Sequence, residues 1–497
     1  MARRASAEAD GSLAKAGGSL VIQRAPGRIG PIRFFALSFG CIVGSGWVVV
    51  LGDWLRPCGP AGVVIGMCAG GSVMLANSGA YAELIARYPQ IGGEFVFAQR
   101  IFGLRVAFLV GWLSTLSLLA VVAFEATALP MILEALIPAV RGPILYHSLG
   151  SPVTADAIVT GWAGTLLVAF MNYRGIRAAA TMQTVLSFVF LGLAVLIVAL
   201  GFALGSPANL HPLLSGHGGR PWWVGSLWIF ATVPLFLNGF QSVAQAIEER
   251  GNTVTLARVA PLMVYALLIG MGFYCLVTLA ASAAQPWRSL VDRPMATAAA
   301  FDALLPHHLL SVLVLAAAAL SVARVWNGVT LWVTRVLMAQ ARAGLLPARM
   351  GIAHPRSGSS TVTVMSVAAC TALGPLLGKG VLIPLVDTAS VCLAGILVVA
   401  AVAALRARAK YGTADLPYAT PGGTGTLLYS LIGSAGMAIF AFLDPVLRRP
   451  DRLPPEWMML GIWACAGLVF WRLYASARVK ASSHSRAEGN DPCALHR

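Results

Sequence analysis

The stretch Phe39-Gly40-Cys41-Ile42-Val43-Gly44-Ser45-Gly46-Trp47 decides the fold, because it sets Gly40, Gly44 and Gly46 inside a segment otherwise apolar enough to cross a bilayer. A glycine inside a helix costs about 1 kcal/mol relative to alanine. In lipid, irregular backbone survives only where protein or a cavity surrounds it. A second such segment lies five spans later, Thr232-Val233-Pro234-Leu235-Phe236-Leu237-Asn238-Gly239-Phe240-Gln241-Ser242. There Pro234 removes a backbone donor and Gly239 loosens the following turn. Interrupted spans in matching positions of two halves point to an inverted-repeat transporter whose half-helix ends form the substrate site. The competing reading is that these glycines only let helices pack closely. With 52 glycines in the chain, a single Gly-x-Gly does not separate the two.

The surrounding composition agrees with a membrane protein. Of 497 residues, 58% are hydrophobic and 11% charged, against roughly 25% charged in soluble domains. About twenty apolar residues cross a bilayer. Runs of that size fill the chain and leave no room for a sizeable soluble domain. Twelve helices are expected, at 34–54, 61–83, 106–136, 155–171, 181–204, 222–246, 260–284, 308–338, 362–378, 382–405, 425–443 and 456–474. The chain then divides into an N-terminal tail (1–33), a first repeat of spans one to five (34–204) and a second of spans six to ten (222–405). Two peripheral helices (425–474) and a C-terminal tail (475–497) complete it.

The net charge of +16 reports orientation, not a nucleic-acid partner. With the N-terminus in the cytoplasm, 25 of the 35 Lys and Arg residues fall on the inner side and 9 on the outer. That bias places both termini inside. One basic residue, Arg324, remains within a span. The basic N-terminal segment lacks the apolar core of a signal peptide and reads as a cytoplasmic tail. The eight cysteines stand singly, without zinc or redox spacing, and His307 and His308 belong to no His/Cys/Asp cluster. No metal or cofactor is expected.

An unwound Gly44-Ser45-Gly46 presents amides at the start of a half-helix, where the dipole favours an anion such as a carboxylate. Carbonyls freed just before it suit an ammonium. One break can therefore hold both ends of a zwitterion.

Several further stretches share a pattern. They are Gly44-Ser45-Gly46, Tyr81-Ala82-Glu83 through Gly93-Glu94, Asn172-Tyr173-Arg174-Gly175-Ile176-Arg177, Gly239-Phe240-Gln241-Ser242 with Glu248-Glu249, and Thr334-Arg335 through Leu346-Pro347. In this order and spacing they resemble the amino acid-polyamine-organocation permeases. Trp47 through Asp53 and Phe124-Glu125-Ala126 are similar to a bacterial subgroup. The resemblance implies an all-α fold of twelve spans, a leucine-transporter-type 5+5 inverted repeat plus two peripheral helices, working by alternating access.

The resemblance also implies site roles. Ser45, Gly46 and Trp47, beside Gly44 of the same substrate-binding stretch, offer amides, and Ser45 its hydroxyl, to a substrate carboxylate. Ile42, and Leu235 and Asn238 beside Gly239, offer carbonyls to its amine. Some relatives have an aromatic gate at the position of Leu235. Phe236 is the neighbouring aromatic for that role, or the gate differs here.

Charges inside a span are costly and usually face a cavity or a partner. Two stand out, Glu125 in span three and Arg324 in span eight. Glu125 reads as a proton carrier, or as a fixed ion pair or gate. Arg324 reads as a guanidinium replacing a coupling sodium, or as a structural arginine paired with Glu125 or with freed carbonyls. Phe190 stands where some proton-coupled relatives carry a lysine, Gln241 where many carry glutamate, and neither break bears an acidic residue of its own. Glu83, Arg87 and Glu94, with Glu248, Glu249 and Arg335, read as inward-side gating pairs or as solvated charges. Trp326 and Asn327 read as pocket wall or as packing.

The expected function is a secondary active permease for an amino acid or related amine in a bacterial inner membrane. A proton is favoured over sodium as coupling ion, and the partners are the small-molecule substrate and the lipid bilayer. The alternative is a membrane amino-acid sensor without net transport. No phosphate-binding Gly-x4-Gly-Lys-Ser/Thr loop supports ATP use. No clustered acids or nucleophile with a base supports an enzyme.

Overall fold

The structure, a computed structural model, describes residues 30–475 except 175, 246, 248, 249, 252, 253, 303, 355–357, 449 and 450, with the side chains of 176–180 and 475 also outside the description. Both tails therefore lie almost wholly outside the described residues, as do Glu248 and Glu249. Ten described helices are long and apolar enough to cross a membrane, and the shorter apolar helices Trp222–Phe236 and Thr361–Leu377 supply spans six and nine. The chain is an all-α polytopic membrane protein. Its only described sheet is a two-stranded hairpin, Ile144–Ser148 with Ser151–Thr154, between spans three and four.

Span one is broken. Helix Pro31–Ile42 stops, residues 43–45 leave the helix, and a new helix begins at Gly46 and runs on after Val50 from Leu51. It continues farther than the hydropathy limit of 54. It ends at Gly59, whose φ of 71° marks the turn into span two (60–87), with Pro60 at the new start. Span six breaks too: helix Trp222–Phe236 gives way at Leu237, and a single turn, Ser242–Gln245, follows. Both breaks fall where glycine and proline place them.

The remaining spans are Leu104–Leu136 (three), Ala155–Arg174 (four), Ile176–Leu204 (five), Leu256–Ala284 (seven), Leu309–Arg342 (eight), Leu382–Tyr411 (ten), Gly423–Arg448 (eleven) and Pro455–Phe470 (twelve). A short helix that hydropathy does not reveal, Gly93–Phe102, links spans two and three. Gly92 and Gly93 open it with positive φ values of 119° and 47°.

Small residues allow the closest packing. Gly62, Gly66 and Gly70 form one stripe on span two, and a Cβ at Gly66 or Gly70 would lie 2.5 Å from atoms of span six. Ser226 of span six donates to the Gly62 carbonyl at 2.9 Å. Spans three and eight pack together, as do two and seven, three and ten, and five and eight. Spans eleven and twelve sit outside, with Ile432 and Ile462 about 70% exposed, as lipid-facing apolar side chains are.

Candidate functional site

The two breaks face each other. A Cβ on Gly239 would stand 2.7–2.8 Å from Cys41 and Ile42, so span six can approach span one this closely only through a glycine. Gln241 accepts from the Gly239 amide at 3.1 Å and Ser242 donates to its carbonyl at 2.6 Å, so side chains hold the second break open. Gly46 leaves room for the Phe236 ring, which would otherwise meet its Cβ at 2.6 Å.

Between the breaks lies a small cavity of about 30 Å³, lined by Ile42, Gly44, Gly46, Leu235, Phe236 and Asn238 together with Glu125, Tyr274 and an apolar wall of Val121, Phe124 and Val325. A buried water needs roughly 10–15 Å³. The cavity is therefore too small for an amino acid. Phe236 packs edge-on against Trp54 at 4.8 Å, forming an aromatic lid with Tyr274. Leu235 lines the cavity without belonging to that aromatic cluster, so the aromatic at this break is Phe236. Larger openings lie toward either end. One of about 460 Å³ includes Asp53, Arg56, Trp228 and Arg448. Another of about 260 Å³ includes Phe95, Gln99, Arg335 and Arg342.

Both donors of Ser45 are occupied. Ser45 donates its amide to Glu125 Oε1 at 3.2 Å and its hydroxyl to Glu125 Oε2 at 2.7 Å. A Cβ on Gly44 would stand 2.2 Å from Glu125 Oε1, so the carboxylate needs that glycine. Sequence inspection found no acid at either break; the packing of span three brings one there. Glu125 is 3% exposed and both its oxygens are paired.

The freed carbonyls are also occupied. Ser321 donates to Val43 O at 2.6 Å and Gly44 O at 2.9 Å, Arg324 donates from Nη2 to Val43 O at 2.6 Å, and Tyr274 donates to Ile42 O at 3.3 Å. Thr297 donates to the carbonyl of Trp47. Arg324 forms no ion pair with Glu125 among the described residues. Its guanidinium lies 4.2 Å from the Phe190 ring and 4.8 Å from Phe39. Of the two structural partners open to Arg324, the structure has the freed carbonyl. Asn238 differs from all of these, since it is 2% exposed and neither end of its amide has a partner.

Other candidates lie elsewhere. Trp326 turns to span four, where its ring fills the space over Gly164. Asn327 joins Asn172 and Gln183 in a polar chain at 3.2 Å spacing. Among the described residues Glu83 pairs with Arg408 and Thr420 and not with Arg335. It accepts from Arg408 at 3.1 and 2.5 Å and from the amide and hydroxyl of Thr420 at 3.0 and 2.9 Å, which pins span two to span ten and the loop beyond. Arg87 donates to the Gly412 carbonyl of that loop at 2.6 Å. Glu94 accepts from Ser114 at 2.6 Å, and burial holds its carboxyl above the usual carboxylate range.

Glu125 and Arg324 are not the only buried charges. Asp387 of span ten and Asp444 of span eleven are 2% and 3% exposed, and both meet Arg448 at 2.5 Å. Trp228 donates to Asp387 at 3.2 Å. Their signal was an aspartate inside each apolar run. Tyr274 and Ser321 had weaker ones: a hydroxyl amid the apolar residues of span seven, and a serine three residues before Arg324. No group of three or more His, Cys, Asp and Glu residues able to hold a metal occurs among the described residues.

Residues 29–469 match the family described as amino acid permease. The chain is 23% identical over 476 residues to the branched-chain amino acid permease BcaP of Bacillus subtilis (strain 168), covering 91% of this chain and 94% of that one. It is likewise 23% identical over 458 residues to BcaP of Lactococcus lactis subsp. cremoris (strain MG1363), covering 90% and 94%. The methylthioribose transporter of Bacillus subtilis (strain 168) is 24% identical over 324 residues, covering 64% of this chain and 68% of that one.

Proposed function

The chain belongs to the amino acid permease family, and we propose that it is a secondary active transporter of an aliphatic amino acid or related amine, binding it between the broken spans one and six. The observation that carries this reading is the small cavity between the two breaks, polar at Glu125 and Asn238 and apolar along Val121, Phe124 and Val325. That wall suits an aliphatic side chain, in keeping with the branched-chain permeases among the relatives. Residues 1–33 and 475–497 are cytoplasmic on this reading, and the membrane is a bacterial inner membrane.

The packing supports a 5+5 inverted repeat. Exchanging each span for its counterpart five positions on maps the contact of spans one and five onto that of six and ten. It maps three with ten onto eight with five, and four with eight onto nine with three; every one of these contacts is present. Rocking of spans one, two, six and seven against three, four, eight and nine then alternates access.

Coupling is to protons and not sodium. Arg324 and Ser321 occupy the span-one carbonyls that a sodium ion would need. Glu125 is the acid on the cavity, facing Tyr274 and Arg324 from spans seven and eight and Cys41 from span one. A substrate carboxylate that took the Ser45 donors would leave Glu125 unpaired in a dry site, where protonation lets it stay.

The test is thermal unfolding of the purified protein with leucine, isoleucine, valine and matched amines, since a ligand of the folded state raises its stability. Stabilisation by the aliphatic amino acids, absent in Gly46→Leu, is expected. Equal stabilisation of wild type and Gly46→Leu contradicts the site.

A further inference from the structure

We infer that Glu125 is a tethered stand-in for the substrate's carboxylate: by filling the first break it lets the empty carrier close and return, so the protein performs net transport and not exchange alone. The inference rests on the reading above that the broken spans form the substrate site.

A broken span exposes backbone donors and acceptors that the helix would have satisfied. In a closed cavity walled from lipid and water, each one left unpaired is costly. A carrier whose break is satisfied only by substrate cannot close empty, and it exchanges one substrate for another. Here the chain itself supplies the partners. Glu125 takes the amide and hydroxyl of Ser45. Ser321, Arg324 and Tyr274 take the carbonyls of Val43, Gly44 and Ile42.

The cavity of about 30 Å³ holds no room for a substrate, and the Ser45 donors and the carbonyls of Ile42, Val43 and Gly44 have partners without one. Glu125 belongs to span three and Ser45 to span one, so the same two hydrogen bonds draw together the two groups of spans that must close. An arriving carboxylate requires the same Ser45 donors, and Glu125 must release them. Loaded and empty carriers thus use one seat in turn. The amide of Asn238, buried and unpaired on the span-six side, is the polar group left to meet the substrate.

The experiment uses the full chain in liposomes at equal pH on both sides, with tritiated leucine entering empty or leucine-loaded vesicles. Wild type is expected to fill empty vesicles. Glu125→Ala is expected to lower the ratio of net uptake to exchange by about tenfold or more, the loss of hydrogen bonds to a charged group. Glu125→Gln, whose amide oxygen still accepts from Ser45, should retain most of that ratio. Exchange without net uptake in wild type, or an unchanged ratio in Glu125→Ala, overturns the inference.

A second arm needs no substrate. Amide hydrogen exchange across residues 40–50 of the substrate-free protein should speed up about tenfold in Glu125→Ala. Unchanged protection overturns the inference. Absence of leucine movement in both modes contradicts the substrate reading instead, and the amide-exchange arm still decides this one.

Discussion

Ser45 and Glu125 stand 80 residues apart in the chain, yet the serine hydroxyl donates to the glutamate carboxylate at 2.7 Å where the first span is broken. The pair joins two spans at a cavity, and it gives a carboxylate to the amide and the hydroxyl of the serine in the break.

Removing the charge of Glu125 while keeping its shape separates coupling from movement. Glu125→Gln is expected to abolish accumulation driven by an acid-outside pH gradient while downhill movement continues. Leucine uptake into vesicles after a pH jump measures it. Full gradient-driven accumulation in this variant removes the proton role.

The glycines of the first break admit no side chain. Gly44→Ala places a methyl 2.2 Å from Glu125 Oε1 and should displace the carboxylate from Ser45, reproducing the low net-to-exchange ratio of Glu125→Ala. Gly46→Leu drives a larger side chain toward Phe236 and should abolish ligand binding while the protein stays folded and monodisperse. Wild-type affinity in Gly46→Leu refutes the site.

Arg324 holds a freed carbonyl of span one with a fixed positive charge. Replacing external sodium with choline should leave the wild-type rate unchanged, because the guanidinium already occupies the Val43 carbonyl. Arg324→Ala should lose about 2 kcal/mol of stability, the worth of a hydrogen bond to a charged group. Thermal unfolding and sodium-22 uptake check the two parts. Sodium entry that tracks leucine flux defeats this account of Arg324.

Glu83 and Arg408 act as a clamp. Removing either partner of a buried pair costs about 3 kcal/mol, so Glu83→Ala and Arg408→Ala should each unfold earlier, and the double variant should cost less than their sum. A thermal-unfolding double-mutant cycle measures this. Wild-type stability in all three variants, with altered access, would make the pair a gate.

Much of this architecture was legible because lipid imposes it. Apolar runs locate the spans, and Gly44, Gly46, Pro234 and Gly239 mark both breaks, since few other residues let a helix stop inside a bilayer. The helical phase of span three was not legible. Whether Glu125 faces the cavity or a neighbour depends on rotations of spans one and three that no single segment encodes, and so an acid arrived at a break whose own sequence has none. The same limit hid the partner of Glu83, which comes from Arg408 more than 300 residues away, and turned Trp326 to span four. The short helix Gly93–Phe102 and the hairpin at 144–154 escaped hydropathy because neither is long enough to cross.

On the function proposed above, this protein moves an amino acid across a membrane through the seat between its two breaks. Uptake of tritiated leucine into sealed liposomes holding the full chain tests it most directly. Saturable uptake by wild type, absent in Gly46→Leu at equal reconstitution, is the predicted result. Leucine that stabilises the folded protein but never enters the vesicles would contradict it and leave a sensor in place of a transporter.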